Sequence, residues 1–111
     1  MRKFIGAVAA ASLMVIAPAF AADAPKHTVR PRDGYVPDGK TAIRIAVAIW
    51  EPIYGEKQIA REKPYLASLT NGVWTVTGSL PRIPFVDVKG GTAIAEISKE
   101  DGRILRVSHG K

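Results

Sequence analysis

Between Tyr35 and Gly55 the chain reads YVPDGKTAIRIAVAIWEPIYG, and this stretch limits the folds open to it more than any other. Ala42, Ile43, Ile45, Ala46, Val47, Ala48, Ile49, Trp50 and Ile53 leave only a narrow polar stripe of Lys40, Arg44 and Glu51. A helix that is apolar on most sides has to be enclosed by other elements. Asp38 can accept hydrogen bonds from the free amides of a first turn, so the helix is expected to begin within a residue or two of it. Pro52 has no amide hydrogen and crowds the carbonyl four residues back, so it is expected to end or bend the helix. About thirteen helical residues, 39 to 51, span roughly 20 Å, enough to carry a curved sheet.

Upstream, MRKFIGAVAAASLMVIAPAFAADA has a basic start at Arg2 and Lys3, an apolar run from Phe4 to Ile16 and a small-residue exit. That pattern is a secretory signal peptide covering residues 1–21, with cleavage expected after Ala21. The apolar run is shorter than the ~20 residues of a bilayer span, which argues against an uncleaved anchor. Cleavage would leave 90 of the 111 residues, one domain, and the loss of Arg2 and Lys3 would take the formal charge from +6 to +4. No cysteine is present, so there is neither a disulfide nor a lipid-attachment site. The modest surplus of positive charge is not interleaved with aromatic residues as a nucleic-acid platform requires, but it favours encounter with an acidic partner. The reading is therefore a periplasmic or secreted protein with no nucleic-acid partner and no membrane span after cleavage.

Residues 22–33 (ADAPKHTVRPRD) have no period and carry two prolines, so they read as a flexible lead, with His27 exposed in it. Residues 34–111 form the domain. After Pro52 a second, shorter helical piece is expected from about Gly55 to Lys63, with Ile59 packed and Glu56, Lys57, Arg61 and Lys63 on a solvated face. From Tyr65 the period changes to two. Asn71-Gly72 between YLASLT and VWTVTGSL signals a hairpin with a type I′ turn. That turn pairs Leu69 with Trp74, Ala67 with Val76 and Tyr65 with Gly78 on the core face, and Gly78 would leave room for the Tyr65 ring. PRIPFVDVKGG is a loop in which Phe85 is expected to plug one end of the core. The last hairpin, TAIAEIS and RILRVSH about a KEDG turn, is expected to bulge at Gly102 and to pair Ile97 with Leu105, Ala95 with Val107 and Ala93 with His109. Glu96 and Arg106 then face each other outside. The fold class is α+β: a long N-terminal helix packed in a curved antiparallel sheet of two hairpins.

A glycine-rich phosphate loop, a nucleophile elbow, metal-spaced histidines and a nucleophilic cysteine are all missing from the sequence, so no catalytic residue, metal or cofactor is assigned. His109 could serve as a general base beside Asp87 or Glu51. The alternative is a strand-end residue bonded to backbone, and the sequence shows no partner to orient its ring.

YVPDGKTAIRIAVAIWEPIYG, KPYLASLTNGVWTVTGSLP and GGTAIAEISKEDGRILRVSHGK, in this order from about Gly34 to Lys111, resemble the small bacterial immunity proteins assigned to the nuclear transport factor 2-like fold. The motifs PDGKTAI, PIYG and the closing HGK carry the likeness. The resemblance implies a curved sheet wrapped round a helix, and a protein that protects its cell by binding and blocking a toxin. For an exported member that toxin would be met in the periplasm. In so short a chain the cone-like pocket of larger relatives is expected to be shallow or closed.

Two function classes follow. The first is an exported, non-catalytic binding protein that holds a protein partner such as a toxin through Tyr54, Arg82, Phe85 and His109. The second is a small-ligand binder or weak enzyme whose pocket is lined by Trp50, Tyr65, Trp74 and His109, although core packing also accounts for both tryptophans. A stable envelope protein of structural role is a third possibility. Nothing in the sequence fixes an oligomeric state.

Overall fold

The computed structural model describes residues 25–85 and 90–110. Residues 1–21, expected to be a signal peptide, and Asp87 lie outside them. Helix α1 runs Gly39–Tyr54 and helix α2 Glu56–Ala60. Four strands follow: β1 Leu66–Thr70, β2 Val73–Thr77, β3 Ala93–Ser98 and β4 Ile104–His109. The strands form one antiparallel sheet in the order β1-β2-β3-β4, with α1 packed across β1, β2 and β3.

Local signals set the ends of α1. Asp38 is extended and its carboxylate accepts the Thr41 amide at 2.8 Å, capping the first turn as its place before the apolar run predicts. Pro52 does not end the helix. It lies in the last turn, and the chain leaves the helix only at Gly55, whose φ of 99° few other residues tolerate and whose amide bonds to the Glu51 carbonyl at 2.8 Å. The helix is also less enclosed than its composition suggests. One stripe at i, i+4 and i+8, formed by Ala42, Ala46 and Trp50, is fully buried. Ile43, Ile45 and Val47 flank it half-buried, whereas Ala48 is exposed and Ile53 is 57% exposed. A single sheet covers one side of a rod, so an apolar circumference is not by itself proof of enclosure.

The core is Val36, Ala42, Ala46, Trp50, Ile59, Trp74, Val76, Ala93, Ala95 and Ile97. Alanines on α1 and β3 let helix and sheet approach closely, and the two tryptophans fill the remaining space. Each indole N–H has a backbone acceptor: Trp74 donates to the Val36 carbonyl at 2.8 Å and Trp50 to that of Ile94 at 3.3 Å. A buried donor left unpaired would cost about 1–3 kcal/mol.

The first hairpin has the expected register, with Leu69 opposite Trp74 and Ala67 opposite Val76, about Asn71 and Gly72 at φ 51° and 77°. In the second, Ala93 faces His109 and Ala95 faces Val107, and Glu96 meets Arg106 at 3.1 Å on the exposed face. The bulge, however, falls between Glu96 and Ile97 and pairs Ile97 with Ile104 instead of Leu105. Leu105 is the extra residue. Helix α2 is shorter than expected. Phe85 does not plug the core; its side chain is fully exposed and its φ is 62°. Gly78 has a different purpose from the one expected: a Cβ there would sit 2.5 Å from Glu62 Oε1, so the glycine makes room for Glu62, not for the Tyr65 ring.

The end of the lead is tied to the last turn. Tyr35 and Val36 donate to the carbonyls of Glu100 and Lys99 at 2.9 and 3.0 Å, and Lys99 Nζ bonds to the Asp33 carbonyl. Val36 is buried here while Tyr35 stays largely outside, its hydroxyl bonded to the Val29 carbonyl.

Candidate functional site

Polar side chains meet where the end of α2, the start of β3 and the end of β4 converge. Ile59 is fully buried and anchors α2, which directs Glu62, three residues on, towards the interior. The Glu62 side chain is only 4% exposed. Its Oε1 accepts the Ala93 amide at 2.7 Å, and its Oε2 accepts from Gln58 Nε2 at 2.9 Å and from His109 Nε2 at 2.8 Å. Gly78 clears the space above the carboxylate. Gly91 lets the Gly110 backbone pass where any side chain would overlap it, and so brings His109 within reach.

Two opposing effects act on Glu62. Burial raises its pKa, but the Ala93 amide, Gln58 and His109 together outweigh burial and hold the carboxyl below its ordinary value. For His109 the bond to Glu62 is the main cause of a raised pKa, helped by the Gly110 carbonyl, which lies 2.7 Å from Nδ1. A carbonyl and a carboxylate both only accept, so this geometry favours the protonated ring, in which both nitrogens donate. It has no lone pair with which to take a proton from a substrate. So protonated, His109 cannot act as a general base, and its orienting partner is Glu62 and not Glu51.

The other candidate residues divide into three groups. Tyr54, the last residue of α1, stacks obliquely on His109, with ring centroids 5.0 Å apart and planes at 54°, so these two candidates do meet. Arg82 and Phe85 are exposed on the loop after β2. Trp50 is buried and Trp74 nearly so, and Tyr65 packs on Trp50 with 5.9 Å between centroids and donates to the Ile59 carbonyl at 2.8 Å. Burial, with Glu51 and Glu62 adding to it, pushes the Tyr65 phenol up. These three rings pack in the core.

An open groove of about 730 Å³ lies elsewhere, where the lead meets the two hairpin turns, lined by Arg30, Arg32, Lys99, Glu100, Asp101 and Arg103 among others. None of the candidate residues lines it. Asp101 is occupied locally, accepting the Arg103 amide at 2.9 Å. Among the described residues, no three His, Cys, Asp or Glu side chains are grouped to hold a metal ion, and no helix is long and apolar enough to cross a membrane.

Sequence reasoning missed Glu62 because it sits in AREKP, a run that reads as solvated charge. Two signals could have found it: its place three residues after the apolar Ile59, and a lone histidine at a strand end that lacked a partner.

No solved structure matches the chain. Two curated proteins of Escherichia coli (strain K12) are similar to it. Uncharacterized protein YhhH is 36% identical over 86 residues, covering 78% of this chain and 63% of the relative. Uncharacterized protein YbbC is 37% identical over 70 residues, covering 63% and 55%. The chain thus spans less than two thirds of the length of either. The family model described as NTF2 fold immunity protein matches residues 41–111, from the first turn of α1 through all four strands to the last residue, and the chain belongs to that family.

Proposed function

We propose that this protein is an exported, non-catalytic immunity protein that neutralises a bacterial toxin by binding it directly in the periplasm. The observation that carries the reading is the family match over residues 41–111. The bonding of His109 agrees with a non-catalytic role, since its ring is held between two acceptors. The contact surface is assigned to Phe85 and Arg82 on their exposed loop, with Tyr54 and His109 at the half-buried junction of α1 and β4. An aromatic ring and a guanidinium are the side chains that most often dominate a protein interface. The basic N-terminus and apolar run of residues 1–21 support export.

Co-expression with a toxin encoded beside its gene tests the reading. Growth should be rescued by the full chain and not by a form lacking residues 1–21, and tagged protein should capture the toxin from an envelope extract. Equal rescue by the leaderless form would overturn the periplasmic site. Failure of both rescue and capture would overturn immunity.

A further inference from the structure

Residues 25–33 are exposed throughout, so burial does not hold the lead in place, yet it is fastened at several points. The Gly34 amide closes a turn on the Pro31 carbonyl at 3.2 Å, with Arg32 and Asp33 at its corners. The Tyr35 hydroxyl bonds to the Val29 carbonyl, and Lys99 Nζ to that of Asp33. Gly34, at φ 84°, lies so close to the second hairpin turn that a Cβ there would overlap the Lys99 carbonyl. A polar segment with no core to fill is thereby fixed as one wall of the groove, and the two hairpin turns form the other.

The charges of the groove are not all spent within the protein. Lys99 is engaged by Asp33, and the Asp101 carboxylate accepts the Arg103 amide at 2.9 Å. Arg30, Arg32 and the Arg103 guanidinium differ: among the described residues none has a carboxylate within ion-pair distance, although Asp33 and Glu100 line the same groove. A guanidinium is suited to take a carboxylate through two parallel hydrogen bonds. Tyr35 and Leu105, 44% and 43% exposed, give the groove apolar surface as well. This mixture decides the class of ligand. A polyphosphate carries charge at every unit and would be repelled by Asp33 and Glu100, whereas a polypeptide spaces its carboxylates with apolar side chains. The groove is open, so an extended chain can lie along it without threading an enclosed cavity.

We propose that this groove binds an acidic, extended segment of a partner protein, whose carboxylates pair with Arg30, Arg32 and Arg103 while an apolar side chain packs on Tyr35 and Leu105. The site is separate from the contact surface assigned above. The hairpin turns lie at one end of the strands, and Tyr54, Arg82, Phe85 and His109 lie towards the other. The inference does not rest on the immunity reading, and its test needs no toxin.

The full chain, titrated into a fluorescein-labelled peptide of alternating glutamate and leucine, should raise the anisotropy to saturation, with affinity falling as salt is added. The matching peptide of lysine and leucine should not bind. Arg30→Gln combined with Arg32→Gln should weaken binding about tenfold or more. Lys57→Gln combined with Lys63→Gln removes the same charge from exposed positions flanking the Glu62 junction, at the far end of the sheet, and should change affinity less than about twofold. Tyr35→Phe alters no charge but frees the lead from Val29, and the lost preorganisation should weaken binding about threefold. All these positions lie outside the core, and circular dichroism should be unchanged in each variant. Absence of saturable binding, equal weakening by the two double variants, an unaltered affinity in Tyr35→Phe, or displacement of the probe by tripolyphosphate at a lower concentration than by unlabelled peptide would overturn the proposal.

Discussion

Through one carboxylate, Glu62 joins three segments distant in sequence, and the chemistry of that junction gives the molecule a pH signature. His109 has a raised pKa in the fold, so its contribution to stability is complete below its ordinary value of 6.5 and is lost as pH rises through the raised value. Glu62 has a lowered pKa, so its contribution is complete above its ordinary value of 4.5 and is lost as pH falls through the lowered one. Both are whole between about 4.5 and 6.5, where urea unfolding should show maximal stability from this pair. In His109→Gln the amide keeps a donor for Glu62 but cannot titrate, and the alkaline decline should flatten. An unchanged decline would mean that the imidazolium is not its source. Gly78 tests the same junction sterically. In Gly78→Ala the new methyl meets the Glu62 Cβ at 2.8 Å as well as its oxygen, and a carboxylate held by three donors cannot turn away freely. The variant should lose roughly 1–3 kcal/mol in denaturant titration.

Elements in this protein are set by local devices, and those are the parts the sequence displayed. Asp38 acts on the amide of Thr41 three residues ahead, so removing it in Asp38→Ala should cost about 1 kcal/mol, read as a shift in the urea midpoint with an unchanged slope. Asn71-Gly72 fixed the first hairpin and its register for the same reason: the turn needs two positive φ angles, and these two residues supply them. The features that depend on distant partners were not legible. The length of α1 past Pro52 rests on Gly55 ending the helix. The bulge at Leu105 is a matter of how β4 meets β3, which the KEDG turn leaves open. Glu62 belongs to the junction only because His109, 47 residues later, and Ala93, 31 residues later, arrive beside it. The half-bare outer side of α1 was hidden too, because composition along a helix does not count the layers available to cover it.

On the scale of the whole molecule, apolar surface is unevenly spent, and Phe85 is the sharpest case. In so small a fold every large side chain that could be buried matters to stability, yet this ring is fully exposed and stands on a residue at φ 62°. A bulky residue in that region costs about 1 kcal/mol or more relative to one that adopts it readily. Leu80 and Ile83 on the same loop are also 41% and 49% exposed, so the strain sits within an apolar outcrop. Among the described residues Phe85 makes no buried contact, and in the function proposed above contact with a partner is the benefit that would offset the strain. Phe85→Asn places a residue tolerant of positive φ at the same point. Its stability in urea should stay equal or rise by up to ~1 kcal/mol, while affinity for the toxin captured in the co-expression experiment of the proposed function, measured by calorimetry, should fall tenfold or more, about 1.4 kcal/mol. A drop in stability with affinity intact would reverse the assignment and make Phe85 a structural residue.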